Sequence, residues 1–337
     1  MTVSAGGCYA DAHMSRFSVS ILAACVALGG ITARAQVKIT RDAGRIAVEI
    51  DGKPETVFYV GAETAKPYLH PLRSASGKIV TRHYPMEMVE GETRDHPHHR
   101  GLWFSHGDVN GTDFWSNEPK QTPRTGRIVL TKPAQVESGA KSGRIHAEFE
   151  WRDASGKPLL TESRTMVFYS DPVLRTIDLD ILLKAVDKVK FGDTKEGTFA
   201  IRLAAGLEEP DPKAPALPKR TGRRLNAEGA TGEAGIWGKR SDWVDHFGEI
   251  DGEKLGVAIF DHPANPRHPT YWHSRAYGLF AANIFGVRDF ERDRSKDGSL
   301  TLEPGGTLRF RYRVIIHPGD AKSANIARLY SEYARTK

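Results

Sequence analysis

From Arg45 onward the chain is built of short runs in which apolar and polar residues alternate, separated by Gly, Pro, Asp or Asn. Arg45–Ile50 and residues 144–151, 165–169, 175–182, 255–260 and 308–315 all follow this pattern. Side chains of a strand point to opposite faces in turn, so each run predicts a strand with one buried face. Asp51-Gly52 and residues 153–156 fall between such runs and predict hairpin turns. Helical spacing is clear only near the end, where Ile326, Leu329, Tyr330 and Tyr333 share one face of residues 323–334. Many strands with one terminal helix predict an all-β chain, a large antiparallel β-sandwich with a C-terminal helix. Residues 206–235, rich in Pro, Gly and Ala, predict a long loop at the rim of the sandwich, because strands of the same style continue beyond them.

Length and composition fit this reading. A chain of 337 residues with 39% hydrophobic content buries a sizeable core and is not a disordered polymer. Residues 36–337 read as one sandwich domain. Before them, Met14-Ser15-Arg16, an apolar run over 17–31 and Ala33-Arg34-Ala35 match the three regions of a secretory signal. Residues 1–35 therefore read as upstream residues and signal peptide, with Met14 as the alternative start to Met1. Export to the periplasm or beyond the cell is the expectation. Leu22-Ala23-Ala24-Cys25 offers lipid anchoring at Cys25 as an alternative. Both cysteines, Cys8 and Cys25, precede Gln36, so a chain starting there has no disulfide, thiolate zinc site or cysteine nucleophile.

The net charge of +6 is spread among interleaved acidic and basic residues, which argues against a nucleic-acid partner. The densest basic group, Lys219-Arg220 with Arg223-Arg224, reads as a solvated loop. No transmembrane span is expected after residue 35. There is no Walker loop, no GxGxxG after a strand, no GxSxG and no HExxH.

Chemistry gathers in four places. Residues 93–115 carry His96, His98, His99 and His106, four of thirteen histidines, with Asp95, Arg100, Asp108 and Asn110 among Trp103, Phe104, Phe114 and Trp115. Pro97 favours extended geometry at His96, so His96 and His98 are expected on one face and His99 on the other. Polar groups set among aromatic rings suit a sugar, which has hydroxyls and apolar C–H faces. Residues 261–273 bring His262, Tyr271, Trp272 and His273 after a strand. Residues 192–199 bring Glu196, a carboxylate that could act as a base or orient a histidine. Residues 237–246 bring Trp237, Arg240, Asp242 and Trp243.

These segments resemble a known family. Residues 66–72, 95–104, 106–115, 194–197, 261–263 and 271–278, which include Arg275, resemble the PmoA-like family of exported bacterial proteins. That family's label refers to methane oxygenase, but a copper oxygenase subunit needs several spanning helices, and residues 36–337 show none. At the level of fold, the strands and the Asp-His-Pro-x-His element look like the galactose mutarotase-type β-supersandwich. That resemblance implies histidine and carboxylate chemistry on a sheet face.

The combined expectation is an exported carbohydrate-active protein acting on a sugar or glycan as a hydrolase, lyase or epimerase. His98, His99, Glu196 and His273 are the catalytic candidates. Asp95, His96, Arg100, Trp103, Asp108, Asn110, His262, Tyr271, Trp272 and Arg275 are the substrate-binding candidates. Trp103 or Trp272 is expected to floor a single pocket. Such chemistry requires no cofactor. The alternatives are a divalent-metal enzyme using His96, His98, His106 and Asp108, and a non-catalytic glycan-binding module.

Overall fold

The structure is a computed structural model that describes residues 36–211 and 220–336, with Gly7. Apart from Gly7, the expected signal segment, with both cysteines, lies outside the described residues.

Among the described residues the strands pair antiparallel into an eight-stranded sheet, a nine-stranded sheet and a two-stranded ribbon of Val189–Phe191 with Leu300–Leu302. The first sheet runs, in spatial order, Val37–Asp42, Arg45–Ile50, Lys53–Tyr59, Tyr68–His70, Leu102–His106, Gly197–Arg202, Leu279–Asn283 and Tyr271–Ser274. The second runs Arg223–Asn226, Trp243–Ile250, Glu253–Asp261, Thr307–Pro318, Arg175–Ala185, Pro158–Tyr169, Ser142–Arg152 and Arg127–Leu130, with Gln135–Glu137 also paired to Ser142–Arg152.

Each alternating run forms a strand. Asp51 and Gly52 join two of them with φ of 53° and 74°, the left-handed pair that a two-residue hairpin turn requires. The helix Ile326–Tyr333 buries Ile326, Tyr330 and Tyr333 against Ala258, Phe260 and Ile315 of the second sheet. The expected rim loop is partly regular structure: it holds the strand Arg223–Asn226 and the short helix Gly232–Ile236. The solvated basic cluster is corrected with it. Alternation turns Arg224 inward to 1% exposure, where it reaches Glu209 at 2.8 Å and Ser274 Oγ at 2.9 Å, while Arg220 pairs with Glu208 at 2.8 Å.

The two sheets meet through aromatic residues. Phe58 packs edge-on to Phe149, Phe104 meets Trp151 and Phe310, and Phe199 stacks on Tyr312 with centroids 4.5 Å apart. An ion pair sits inside this core. Arg164 Nε donates to Glu162 at 2.6 Å, Trp151 Nε1 donates to the other carboxylate oxygen at 2.7 Å, and the guanidinium faces the rings of Phe58, Phe104 and Phe149. Removing one partner leaves a charge with no solvent to receive it. Arg164→Ala is therefore expected to lower unfolding free energy by about 3–5 kcal/mol. Glu162→Leu with Arg164→Met should recover most of that loss, read from urea unfolding. A double variant no more stable than Arg164→Ala would refute the account.

Burial also sets the acid response. It pushes His70 and His98 down to about 3, and His106 and His273 to about 4. His99 and His246 are lowered well below the ordinary value by the same cause. The unfolded chain protonates all six near pH 6.5, so their contribution is complete above that pH and drains as pH falls toward 4 and 3. His83, His268 and His317, beside carboxylates, shift upward. Glu55 and Glu208, pushed up to about 8 and about 7 by burial, also favour the fold at lower pH, but these groups are fewer. Thermal midpoints should fall steadily from pH 6.5 to pH 4. A flat profile over that window would contradict the burial of neutral imidazoles.

Candidate active site

Strand register places six residues in one row across the first sheet: Tyr59, Tyr68, Trp103, Ala200, Ala281 and His273. Their chain neighbours Leu102, Phe104, Ile201 and Phe280 face the second sheet in the main core, so this row lines the opposite face. Trp103 lies there beneath the histidines. Trp272 does not. It belongs to the main core and donates Nε1–H to the Ser241 carbonyl at 2.9 Å, so it cannot floor the expected pocket.

The segment bearing His96, His98 and His99 is a turn rather than an extended run. His96 has φ of 44°, and His99 N–H donates to the His96 carbonyl at 3.0 Å. His96 and His99, expected on opposite faces, are instead stacked. Tyr277, His96, His99 and Trp103 form a column with successive centroids 5.3, 4.8 and 5.2 Å apart. Asp95 supplies the local force that overrides the preference Pro97 imposes. Its carboxylate accepts from His96 Nδ1 at 2.6 Å, Arg82 Nη1 at 2.5 Å and Arg202 Nη2 at 2.9 Å. Burial alone would raise its pKa. The His96 hydrogen bond and the two guanidinium groups hold it well below the usual carboxylate range.

His99 is 1% exposed, and burial keeps its imidazole neutral. Arg202 Nη1 donates to His99 Nδ1 at 3.3 Å. A guanidinium only donates, so the proton of the neutral ring is on Nε2. That Nε2–H has no partner, and neither do the buried indole Nε1–H groups of Trp103 and Trp115, whose rings lie against His99. Beside them Lys66 is fully buried, donating to the Trp115 carbonyl at 2.9 Å and Asn117 at 2.8 Å, with Glu118 at 3.8 Å. Burial lowers its ammonium to about 8. Arg100 pairs with Glu118 at 2.9 Å and lies over Tyr68.

His273 begins a second group on the same face. Trp103 and His273 are three strands apart, about 14 Å at ordinary strand spacing. His273 donates Nδ1–H to the Lys195 carbonyl at 2.9 Å and has Glu196 as the nearby charge that favours its protonation. Glu196 itself is paired with Lys195 Nζ at 2.7 Å. Trp237 meets His273 edge-on, and Arg275 lies over both Trp237 and Tyr277. Tyr277, at the hairpin tip, packs against the apolar cluster that includes Trp103, Ala200, Leu279 and Ala281. Burial pushes its hydroxyl up to about 12, and it feels Glu196 and Asp95 together.

Other candidates lie elsewhere. His106, three positions after Trp103, turns to the opposite side of the sheet, where Nε2 bonds to the Gly192 carbonyl at 2.9 Å between Phe191 and Phe285. Asp108 accepts from Gly111 N, and Asn110 ties down residues 188 and 190. The quartet His96, His98, His106 and Asp108 is thus not assembled, and among the described residues no group of three or more His, Cys, Asp or Glu is placed to hold a metal. His262 packs on Tyr333 of the C-terminal helix. Tyr271 stacks on Phe290 and hydrogen-bonds Glu291.

The sequence reading missed Arg82, Arg202, Lys66 and Tyr277 as site members. Nothing in composition marks a buried arginine, and Asp95 is 107 positions from Arg202. Tyr277 had only its place in a motif.

No curated protein matches the chain. Among solved structures, an α-galactosidase from Lactobacillus brevis is 9% identical, with a TM-score of 0.39 over 86% of this chain and 40% of that one. Galactose 1-epimerase from Lactobacillus acidophilus is 8% identical, with a TM-score of 0.39 over 84% of this chain and 98% of that one. A galactose mutarotase-like protein from Clostridium acetobutylicum is 9% identical, with a TM-score of 0.36 over 84% and 98%. The chain spans about two fifths of the galactosidase, and no activity is carried over from any of these. The family match covers residues 45–331 and is not to the PmoA-like family that the motifs resemble: the chain belongs to a family of unknown function, DUF6807.

Proposed function

We propose that this is an exported carbohydrate-active protein whose cleft binds a sugar or glycan and transfers protons on it. The observation that carries the reading is the set of three buried donors without acceptors, His99 Nε2, Trp103 Nε1 and Trp115 Nε1, behind a stack of rings. Unmet buried donors cost free energy, and a ligand rich in oxygen acceptors would satisfy them. The aromatic faces beside them suit the C–H faces of a pyranose.

In this reading His99 is an electrically neutral donor rather than an acid, because its pKa is far below physiological pH. His96 is the proton carrier. Asp95 fixes its Nδ1–H, which leaves Nε2 of the neutral ring to take a proton, and its side chain is 43% exposed. Trp103 and Lys66 support the floor, and Glu196 with His273 forms a second polar group across Tyr277. The protein is exported, shares its histidine-rich motifs with the PmoA-like family, and carries out a hydrolysis, an elimination or an epimerisation.

A glycan panel tests it. His96→Ala should lower turnover by about 10²–10⁴-fold with smaller effects on binding. Trp103→Ala should weaken binding by about tenfold or more. Undiminished turnover in His96→Ala removes the acid–base assignment. Glycan binding with no turnover in the unmodified protein leaves a binding module only.

A further inference from the structure

The second group carries its own ligand chemistry. Trp237 has two guanidinium groups within 6 Å of its ring centroid, Arg275 at 5.9 Å and Arg292 at 5.8 Å. Phe290 and His273 meet the same indole edge-on at 5.7 and 6.3 Å. The nearby acid is Glu233, 3.4 Å from Arg275 Nη2 but also bound to the Ala276 amide. Arg275 Nε and Trp237 Nε1 are buried without a partner. Arg292 is exposed and held at φ of 53°, in the left-handed region that non-glycine residues seldom occupy. Donors here outnumber acceptors: among the described residues Arg275 has Glu233, and neither the Arg292 side chain nor the indole Nε1 has a hydrogen-bond or ion-pair partner.

We infer that Trp237, Arg275 and Arg292 form a subsite for an anionic substituent on a sugar, a uronate carboxylate or a sulfate ester, so that the substrate class is acidic glycans. Two positive planar forks match the paired oxygens of such groups, and the indole they lie over adds an unpartnered Nε1–H donor. The inference rests on the sugar-binding reading above and narrows it. Tyr277, which lies under Arg275 and stacks on His96, links the subsite to the proton carrier. A chain of sugar units laid across Tyr277 would place one unit beside the exposed His96 and a charged neighbour at Trp237.

The test is calorimetric titration of the purified protein with three ligands of equal length: a uronate oligosaccharide, its carboxyl-reduced neutral form, and a sulfated neutral oligosaccharide. The charged ligand should bind about tenfold or more tighter than the neutral one, the scale of a hydrogen bond to a charged group. That preference should shrink with added salt. The arm that shows it identifies carboxylate or sulfate. Arg275→Gln with Arg292→Gln should bring the preference close to unity. Arg292→Gln alone, at an exposed position, gives a smaller loss in the same direction even where the double variant fails to fold. Equal affinity for charged and neutral ligands overturns the subsite and leaves the sugar-binding reading intact. No binding in any arm overturns both.

Discussion

The site is organised by an ionised carboxylate. Asp95 accepts three short charge-assisted hydrogen bonds, from its chain neighbour His96, from Arg82 and from Arg202, which lies 107 positions away. Arg202 closes the strand that pairs with the one carrying Trp103, so sheet register sets its backbone position, and its bonds to Asp95 and His99 hold the guanidinium. Arg82 adds a bond to the His96 carbonyl at 3.0 Å and so grips the backbone of the turn as well as its side chain. With the turn pinned at both levels, His96 has no choice but to lie between Tyr277 and His99. A carboxylate that has to remain ionised in a half-buried place is costly without partners. Here the partners are themselves residues of that sheet face and of the turn above it.

How far the sequence discloses this depends on which faces of a strand are buried. Residues 45–50, 144–151 and 308–315 alternate because one side meets solvent, and there the period-two signal and the architecture it implies are plain. Tyr271–Ser274 is buried on both sides. Its alternation is then invisible, and Trp272 and His273 cannot be assigned to core and cleft by pattern alone. Parity does separate Trp103 from His106 once the strand Leu102–His106 is known to continue that far. The turn at His96 was misjudged for a different reason. A backbone preference imposed by proline is weaker than a carboxylate that hydrogen-bonds its own neighbour and two arginines. The His-rich segment was visible as a chemical locus, while its geometry depends on residues more than a hundred positions away.

Charged groups also occupy the space between the sheets. Glu162, Arg164 and Arg224 lie on inward-facing strand positions that would ordinarily hold aliphatic residues, Arg164 paired with Glu162 and Arg224 with Glu209 of a loop. Arg164 is enclosed by three phenylalanine rings, which attract the guanidinium through their electron-rich faces. Such pairs restrict which partner strand can sit opposite, because a slipped register would leave a charge facing a ring edge or an alkyl chain. They complement the aromatic contacts, which are less discriminating about alignment.

Across the row from Tyr59 to His273, the fourth and fifth positions, between Trp103 and His273, are Ala200 and Ala281, each fully buried. A methyl group on a strand contributes little shape of its own, so what fills the middle of the face is decided by the hairpin tip that delivers Tyr277. The sheet supplies a level bed, and the loop supplies the relief. Exchanging residues 275–278 would redraw the contour between the two polar groups while leaving the aromatic contacts between the sheets in place. In a scaffold arranged this way, ligand preference can diverge between relatives through one short connection while both hydrogen-bonded sheets remain the same.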